Sequence, residues 1–439
     1  MLRFRASGHD REILRLAVPA FGALVAEPLF LLSDSAIVGH LGTAQLGGLG
    51  VAGQALNTLV YLCVFLAYGT TAGVARQIGA GDRRAAVRQG IDGMWLAVAI
   101  GAVLIAAGWP LIPNIVDAFG ASASVTPYAE TYLRISLFGI PSMLVVLAGT
   151  GVLRGLQDTR TPLAVSIGGF SLNLLLNAVF VLVLGWGIAG SAWGTVLAQT
   201  GSAAVYVAVV LRGARREGAP VRPDWAGIRT SATAGFGLLL RTAALRIVLI
   251  VGTSIAARMG DAEIAAYQVG FQVWTLLAFA LDAIAIAGQA ITGRYLGAAD
   301  VAGTRAVTRR MVGWGVVCGV VFGLAVLAVR PWLPDLFTSD GDVRHLLLVS
   351  LVLVAVLQPV AGVVFVLDGI LIGAGDGAYL AVTTLVATVV FLPAALLLYG
   401  ADAGIAGLWA AIGLWMGTRL VTLGLRARGD RWMVTGAVR

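Results

Sequence analysis

Two carboxylates lie inside the first apolar segment of the chain. Glu27 and Asp34 are seven residues apart in the stretch EPLFLLSDSAIVGHLG, a spacing close to two turns of a helix. Both side chains therefore lie on one helix face, roughly 10 Å apart along the axis. A charge at membrane depth costs at least about 2.5 kcal/mol, and such residues are usually functional. A bound proton or cation relieves this cost, so we predict a coupling role for Asp34, with Glu27 as its electrostatic neighbour.

Polar residues also interrupt other apolar segments. Asn173 and Asn177 in NLLLN are one turn apart and share a helix face. Asp282 and Asp368 lie in ALDAIAIAGQA and FVLDGILIGAGD. Amide side chains also link membrane helices by hydrogen bonds, and Asp368 suits loop anchoring as well as transport. We predict a substrate cavity lined by Tyr132, Gln272, Asp282 and Asp368, and we expect Thr195 to accompany the two asparagines.

The composition places these residues in a membrane. The chain has 439 residues, of which 59% are hydrophobic and 12% charged. Its mean hydropathy of +0.91 is too high for a soluble globular protein. A membrane-length window predicts about twelve spans joined by short polar loops. The predicted spans are 13–38, 48–75, 90–112, 128–150, 162–184, 188–211, 232–257, 264–292, 311–330, 346–370, 378–399 and 403–425.

The basic residues predict the orientation. All thirty are Arg, and the net charge is +8. With the amino terminus placed inside, the inner segments and a carboxyl-terminal tail hold nearly all of the loop arginines. The outer loops hold only Arg258, Arg330 and Arg344. This asymmetry follows the positive-inside rule and predicts that both termini are cytoplasmic. The basic excess therefore sets topology, and we expect no nucleic-acid partner.

The chain also repeats itself. At an offset of 218 positions, residues 40–82 align with 258–300 without a gap, and eleven of the 43 pairs are identical. Alanine- and glycine-rich helices resemble one another by chance, but these matches include Arg, Asp and Gln. We predict an all-α integral membrane protein with twelve transmembrane helices, in two parallel six-helix repeats around a central cleft. The predicted lobes are 1–211 and 231–439, joined by an Arg-rich cytoplasmic linker at 212–230.

Enzymatic chemistry has little support in the sequence. The three His and two Cys residues form no metal-ligand set, and no nucleophile–base pair is evident. A chain without Lys has no GxxxxGK[ST] phosphate loop, and paired acidic motifs for Mg²⁺ are missing. We therefore expect no catalytic residues, no bound metal and no cofactor.

Four motifs resemble those of the multidrug and toxic compound extrusion (MATE) family. PLFLLSDSAIVGHLG and LRGLQDTRTPL are similar to family motifs, while ALDAIAIAGQA and LDGILIGAGD point to its DinF-like branch. The resemblance covers nearly the whole chain and implies secondary efflux driven by H⁺ or Na⁺. It also implies a cation site in the amino-terminal lobe at Asp34, Asn173, Asn177 and Thr195, with Tyr132 nearby.

One departure from the family pattern bears on the coupling ion. Many DinF-like relatives have N-x3-D where this chain has Asn173 and Asn177. Loss of one anion is expected to weaken Na⁺ binding more than H⁺ binding, because hard cations prefer charged oxygen ligands. Glu27 is the candidate to restore that charge.

These patterns predict an H⁺-coupled antiporter that exports an amphipathic organic solute, most simply a drug-like cation, by alternating access. The alternatives are Na⁺-coupled antiport, export of a citrate-like organic anion, and flipping of a lipid-linked precursor. The expected partners are the solute, H⁺ or Na⁺, and membrane lipid. We expect a monomer in the cytoplasmic membrane of a bacterium.

Overall fold

The computed structural model describes residues 8–437, without the side chains of Glu27 and Phe30. All regular structure in this range is helical, which confirms the all-α prediction. By length and composition, eleven segments in the range are able to cross a membrane, and a pair of helices bent by 54° makes a twelfth. The helices are α1 Gly8–Gly39, α2 Thr43–Cys63, α3 Phe65–Gly79, α4 Arg83–Ala118, α5 Thr126–Leu137, α6 Ile140–Gly155, α7 Arg160–Asn177, α8 Gly187–Glu217, α9 Trp225–Met259, α10 Asp261–Gly297, α11 Val301–Val329, α12 Gly341–Gly373, α13 Gly377–Gly400 and α14 Gly404–Arg428. Two short segments complete them, a π-helix at Ala178–Val183 and a 3₁₀ turn at Pro334–Leu336.

The internal repeat is also present in the loops. Asp82 caps α4 by accepting a hydrogen bond from the Ala85 amide at 2.8 Å. Asp300, 218 positions later, caps α11 in the same way through Gly303 at 2.7 Å. Each cap satisfies a backbone donor at the start of a helix that would otherwise lack a partner. The two aspartates therefore end equivalent loops, as the sequence repeat indicates.

Backbone conformation follows the same offset. Gly81 has φ +82°, and its counterpart Ala299 has φ +57°. Gln157 and Gly375 form a second pair of left-handed residues, with φ of +63° and +72°. An L residue with a Cβ rarely adopts this conformation. Ala299 and Gln157 nevertheless adopt it, at positions where the other repeat has glycine.

Close helix packing depends on small residues. A Cβ on Gly315 of α11 would lie 2.5 Å from the carbonyl oxygen of Gly362 on α12. A Cβ on Gly151 of α6 would lie equally close to the Ala67 carbonyl oxygen of α3. Apolar side chains are as stable against lipid tails as against one another, so the hydrophobic effect does not drive membrane helices together. Close backbone contacts of this kind hold them together instead.

The contacts divide the described chain into two compact units. One consists of residues 22–235, and the other of residues 8–21 together with 236–437. The divisions fall inside α1 and α9, so each of these helices contributes to both units. The lobe limits of 1–211 and 231–439, and the linker at 212–230, stay predictions.

Candidate ion-coupling site

Asp34 is buried in the unit formed by residues 22–235. Its side chain lies on α1 and is only 4% exposed. Oδ1 accepts hydrogen bonds from Asn177 Nδ2 on α7, at 2.5 Å, and from Ser191 Oγ on α8, at 3.0 Å. Oδ2 accepts none from any described residue. Hydrogen bonds to a charged group are stronger than those between neutral groups, so both donors favour the ionised carboxylate.

Further polar contacts extend from Asp34 to form a ring. Asn177 Nδ2 also donates to Asn173 Oδ1 at 2.9 Å, and Asn173 Nδ2 donates to Thr195 Oγ1 at 3.0 Å. The Tyr132 hydroxyl, on α5, lies beside Thr195 and Ser191, and Ser191 donates to Asp34. The structure thus brings together four of the predicted coupling residues and Tyr132.

Local backbone features bring α7 and α8 into position. Asn173 and Asn177 lie one turn apart, and the helix changes to π geometry immediately after Asn177. π segments are rare and frequently occur at functional sites. On α8, a Cβ at Gly194 would lie 2.7 Å from Asn177 Oδ1, so only glycine allows this approach. Asn177 Oδ1 itself is buried and has no hydrogen-bond partner within the described residues.

A cavity of about 230 Å³ opens beside this ring. Asp34 is the one charged residue among the lining side chains that are described, and Asn173 is also exposed to the cavity. The remaining lining residues are apolar or hydroxyl-bearing: Ala26, Leu29, Ser33, Ile167, Phe170, Ser171 and Leu174. The cavity is therefore suited to an apolar molecule with one polar or charged group.

The other predicted residues do not join this ring. The side chain of Glu27 lies outside the described residues. Gln272 is exposed and Asp282 half-buried, both on α10 of the other unit. Asp368 is buried in that same unit, and its Oδ1 accepts from Arg241 Nε at 3.2 Å. The predicted roles of these residues in a substrate cavity stay predictions.

Two arginines surround Asp368. Arg241 on α9 forms a two-point contact with its carboxylate, through Nε and through Nη2. Arg419 on α14 approaches Oδ2 from another side, at 3.4 Å. Arg419 falls inside the predicted span 403–425, and the structure shows it buried on α14.

Sequence reasoning missed two further residues. Ser191 is fully buried and bonds Asp34, and its position one turn before Thr195 on the same helix was an available signal. Asp92, on α4, is buried beside Arg88 at 3.4 Å. The position of Asp92 in the first turn of the predicted third span was likewise an available sequence signal. No group of three or more His, Cys, Asp or Glu suited to a metal occurs among residues 8–437, side chains 27 and 30 aside.

The helices and this site define a polytopic α-helical membrane transport protein. The MatE family model matches residues 19–179 and 233–397. The chain therefore belongs to this family of multidrug and toxic compound efflux transporters, which confirms the resemblance read from the motifs.

Curated relatives agree with the DinF-like branch. The chain is 31% identical over 429 residues to Protein DETOXIFICATION 44, chloroplastic, of Arabidopsis thaliana, covering 93% of this chain and 80% of that one. It is 30% identical over 373 residues to DNA damage-inducible protein F of Escherichia coli, covering 83% and 81%. It is 25% identical over 378 residues to the probable multidrug resistance protein NorM of Thermotoga maritima, covering 83% and 80%.

Solved structures agree with the fold. An outward-facing multidrug resistance MATE transporter superimposes with a TM-score of 0.86 at 21% identity, and 96% of each chain is covered. A transporter of the MOP superfamily from Pyrococcus furiosus gives 0.85 at 20% identity, with the same coverage.

Proposed function

We propose that this chain is an H⁺-coupled antiporter that exports an amphipathic organic cation by alternating access. One observation carries the proposal: a single buried carboxylate, Asp34, lies at the wall of an apolar cavity, with one oxygen held by two donors. We also propose that the protein lies in the cytoplasmic membrane of a bacterium, with both termini inside.

The surroundings of Asp34 favour a proton over Na⁺. Two groups donate to Oδ1: the Asn177 amide, which presents its nitrogen and not its oxygen, and the Ser191 hydroxyl. Na⁺ would need several oxygen ligands, and the position that supplies a second acid in relatives is Asn177. A proton needs one acceptor, and Oδ2 accepts no hydrogen bond from the described residues. Protonation there leaves the ring intact.

The same carboxylate explains how a proton is exchanged for a substrate cation. Ionised Asp34 attracts a cation into a cavity that otherwise offers apolar contacts, since the low dielectric strengthens the interaction. Protonation removes that attraction. Proton and substrate cation therefore compete for one group, and a proton bound from the outside displaces the substrate. The proposed multidrug substrate class also agrees with the name of the NorM relative.

The energetics suffice for efflux. One pH unit is worth about 1.4 kcal/mol per proton. The membrane potential adds about 2.3 kcal/mol per charge per 100 mV. Exchange of one proton for one monovalent cation moves no net charge, so the membrane potential cancels and one pH unit supports a solute ratio of about tenfold. A neutral solute would gain from both terms, for a ratio of about a hundredfold or more.

The test is ethidium efflux from proteoliposomes under an imposed pH gradient and, separately, under a Na⁺ gradient. We expect pH-driven efflux by the wild type, loss of efflux in Asp34→Asn, and retention in Asp117→Asn, which alters an exposed acid at the end of α4. Efflux driven by Na⁺ alone would overturn proton coupling in favour of the Na⁺ alternative. Full activity of Asp34→Asn would remove Asp34 from the mechanism.

A further inference from the structure

The segment that joins α8 to α9 presents arginines to the outside of the unit formed by residues 22–235. Five arginines lie within 212–229, and all five are exposed. None of their guanidinium groups makes a hydrogen bond or ion pair with a described residue. The acids nearby are fewer, since Glu217 is half-buried and Asp224 lies 3.8 Å from Arg88 of α4. These arginines are Arg212, Arg215, Arg216, Arg222 and Arg229.

The two helices fix the level of this segment. α8 ends at Glu217 and α9 begins at Trp225, and both are long and apolar enough to cross a membrane. Residues 218–224 alone join them, so the chain turns back into the bilayer at once. The five arginines therefore lie where two spans leave the hydrocarbon, which is the level of the phospholipid headgroups.

An exposed indole lies among these charges. The side chain of Trp225 is 77% exposed, although it begins a helix of membrane-spanning length. Val221 is 44% exposed, and Arg229 follows Trp225 by about one turn on the same helix face. Tryptophan is enriched at membrane–water interfaces, where its ring contacts lipid and its N–H faces the headgroups. A large apolar ring beside arginines at this level fits a lipid surface better than a soluble partner.

Contacts with α4 hold the backbone of the segment. Nη1 of Arg88 donates to the carbonyl oxygens of Pro220 and Arg222, at 2.8 and 2.7 Å. Nε1 of Trp95 donates to the Val221 carbonyl oxygen at 3.1 Å. These bonds use backbone oxygens and leave the side chains of Val221 and Arg222 exposed. The surface is therefore preformed.

Other roles for the arginines explain only part of the pattern. Arg215 and Arg216 lie in the last turn of α8, where the helix dipole favours cations. Arg222 and Arg229 flank the start of α9, where the dipole gives cations no such support. The positive-inside rule accounts for the sign of the charge, but it does not account for the exposed indole between these arginines.

We propose that this basic surface, formed by the five arginines with Val221 and Trp225, binds the headgroups of anionic phospholipids. Guanidinium groups bind phosphate oxygens through paired hydrogen bonds, and the indole lies beside the upper part of the acyl chains. Arg212 shares a helix face with Arg215 and Arg216, so α8 alone offers three cations to one leaflet. The inference goes beyond the proposed proton coupling, and neither claim depends on the other.

The test measures thermal unfolding of the purified protein in dodecyl maltoside micelles that contain increasing mole fractions of phosphatidylglycerol. Phosphatidylcholine, whose headgroup has no net charge, and water-soluble glycerol 3-phosphate are the comparison additives. Phosphatidylglycerol should raise the melting temperature of the wild type by about 2 °C or more, because a ligand of the folded state stabilises it. No ion gradient is involved, so failure here would leave the proton-coupling experiment unaffected.

Paired substitutions locate the effect on α8. Arg215→Gln/Arg216→Gln should require several-fold more phosphatidylglycerol for the same rise, and Arg215→Lys/Arg216→Lys, which keeps the charge, should lose less. The matched control is Arg428→Gln/Arg431→Gln, which removes the same charge from exposed positions at the end of α14 and beyond it. The control should respond like the wild type.

Substitutions of Trp225 test the apolar part of the surface. Trp225→Ser should require several-fold more phosphatidylglycerol, whereas Trp225→Phe keeps an aromatic ring and should lose less. Four results would each overturn the proposal: an equal rise with phosphatidylcholine or glycerol 3-phosphate, a wild-type response of Arg215→Gln/Arg216→Gln, an equal loss in the control pair, or a wild-type response of Trp225→Ser.

Discussion

The Asn177 side-chain amide donates a 2.5 Å hydrogen bond to Oδ1 of Asp34, although the two residues lie 143 positions apart in the chain. This contact turns the nitrogen, not the oxygen, of the amide toward the carboxylate. Because Ser191 donates to the same oxygen, the immediate surroundings of Asp34 consist of donors. Both donors stabilise the carboxylate anion, and the Asn177 nitrogen has no lone pair with which to coordinate a metal cation.

Asn177→Asp is expected to give the site a response to Na⁺. Two carboxylates at hydrogen-bonding distance repel each other, and a bound Na⁺ between them would relieve that repulsion with charged oxygen ligands. We expect efflux driven by a Na⁺ gradient in this variant, together with a rise in melting temperature on adding Na⁺ in place of K⁺.

The matched control is Asn177→Ala, which removes the amide without adding a charge. It should gain no Na⁺ response, and it should transport less under a pH gradient because Asp34 loses a donor. A Na⁺ response in both variants would mean that the amide, rather than the missing acid, prevents Na⁺ binding.

Ser191→Ala tests the residue that sequence reasoning missed. Loss of a hydrogen bond to a charged group costs about 1.5–3 kcal/mol, and Ser191 is fully buried. We expect a lower melting temperature and weaker pH-driven efflux. Ser171→Ala, at an exposed position in the same cavity wall, should change neither. Equal stability of the two variants would show that the Ser191 contact contributes nothing.

Gly194→Ala tests the close approach of α8 to α7. The new Cβ would lie 2.7 Å from Asn177 Oδ1 and 3.3 Å from its backbone nitrogen, so Asn177 must move. Overpacking of this kind costs about 1–3 kcal/mol, and displacement of Asn177 should also reduce efflux.

Gly201→Ala is the control on the same helix. Its Cβ would meet only Leu172 Cδ2 at 3.4 Å, an ordinary contact. Alanine is the better helix former by roughly 0.5–1 kcal/mol, so this variant should be as stable as the wild type or more so. If both variants behaved alike in unfolding and efflux, the Gly194 contact would not position Asn177.

The spans and the repeat could be predicted because their causes are local. A run of apolar residues has to match the membrane thickness, and a loop such as QIGAGD carries its own turn and cap residues. Asp82 and Asp300 therefore cap helices where the sequence places them. The coupling residues could be grouped because helix periodicity puts Asn173 and Asn177 on one face and the family resemblance adds Asp34 and Thr195.

The remaining contacts depend on which helices become neighbours, and hydropathy does not specify that. Asp368 was read as a possible substrate residue, yet it lies between Arg241 and Arg419, which are 178 positions apart on α9 and α14. Arg419 lies inside the predicted span 403–425, but an arginine near the end of an apolar run ordinarily extends toward the membrane surface, so the sequence did not indicate that its side chain is buried. Only the tertiary packing shows that it is buried.

Arg88→Gln is expected to release the segment between α8 and α9. Nη1 of Arg88 donates to the backbone carbonyls of Pro220 and Arg222 at 2.8 and 2.7 Å. Its Nη2 lies 3.4 Å from Asp92 and 3.8 Å from Asp224. Gln cannot make these contacts together, so the backbone around Arg222 should become accessible. Limited digestion of the purified protein with endoproteinase Asp-N, which cleaves before aspartate, should then cut before Asp224 several-fold faster than in the wild type.

The control is Arg84→Gln, which removes an exposed arginine one turn earlier on α4. It removes an arginine that does not contact the segment and should leave cleavage before Asp224 unchanged. Trp95 also holds the segment, since its Nε1 donates to the Val221 carbonyl at 3.1 Å, so Trp95→Phe should accelerate cleavage less than Arg88→Gln. Equal cleavage rates before Asp224 in the wild type and Arg88→Gln would mean that other contacts hold the segment. Faster cleavage with normal pH-driven efflux would show that the transport cycle does not need this anchoring. Faster cleavage together with reduced efflux would show that transport requires the segment in place.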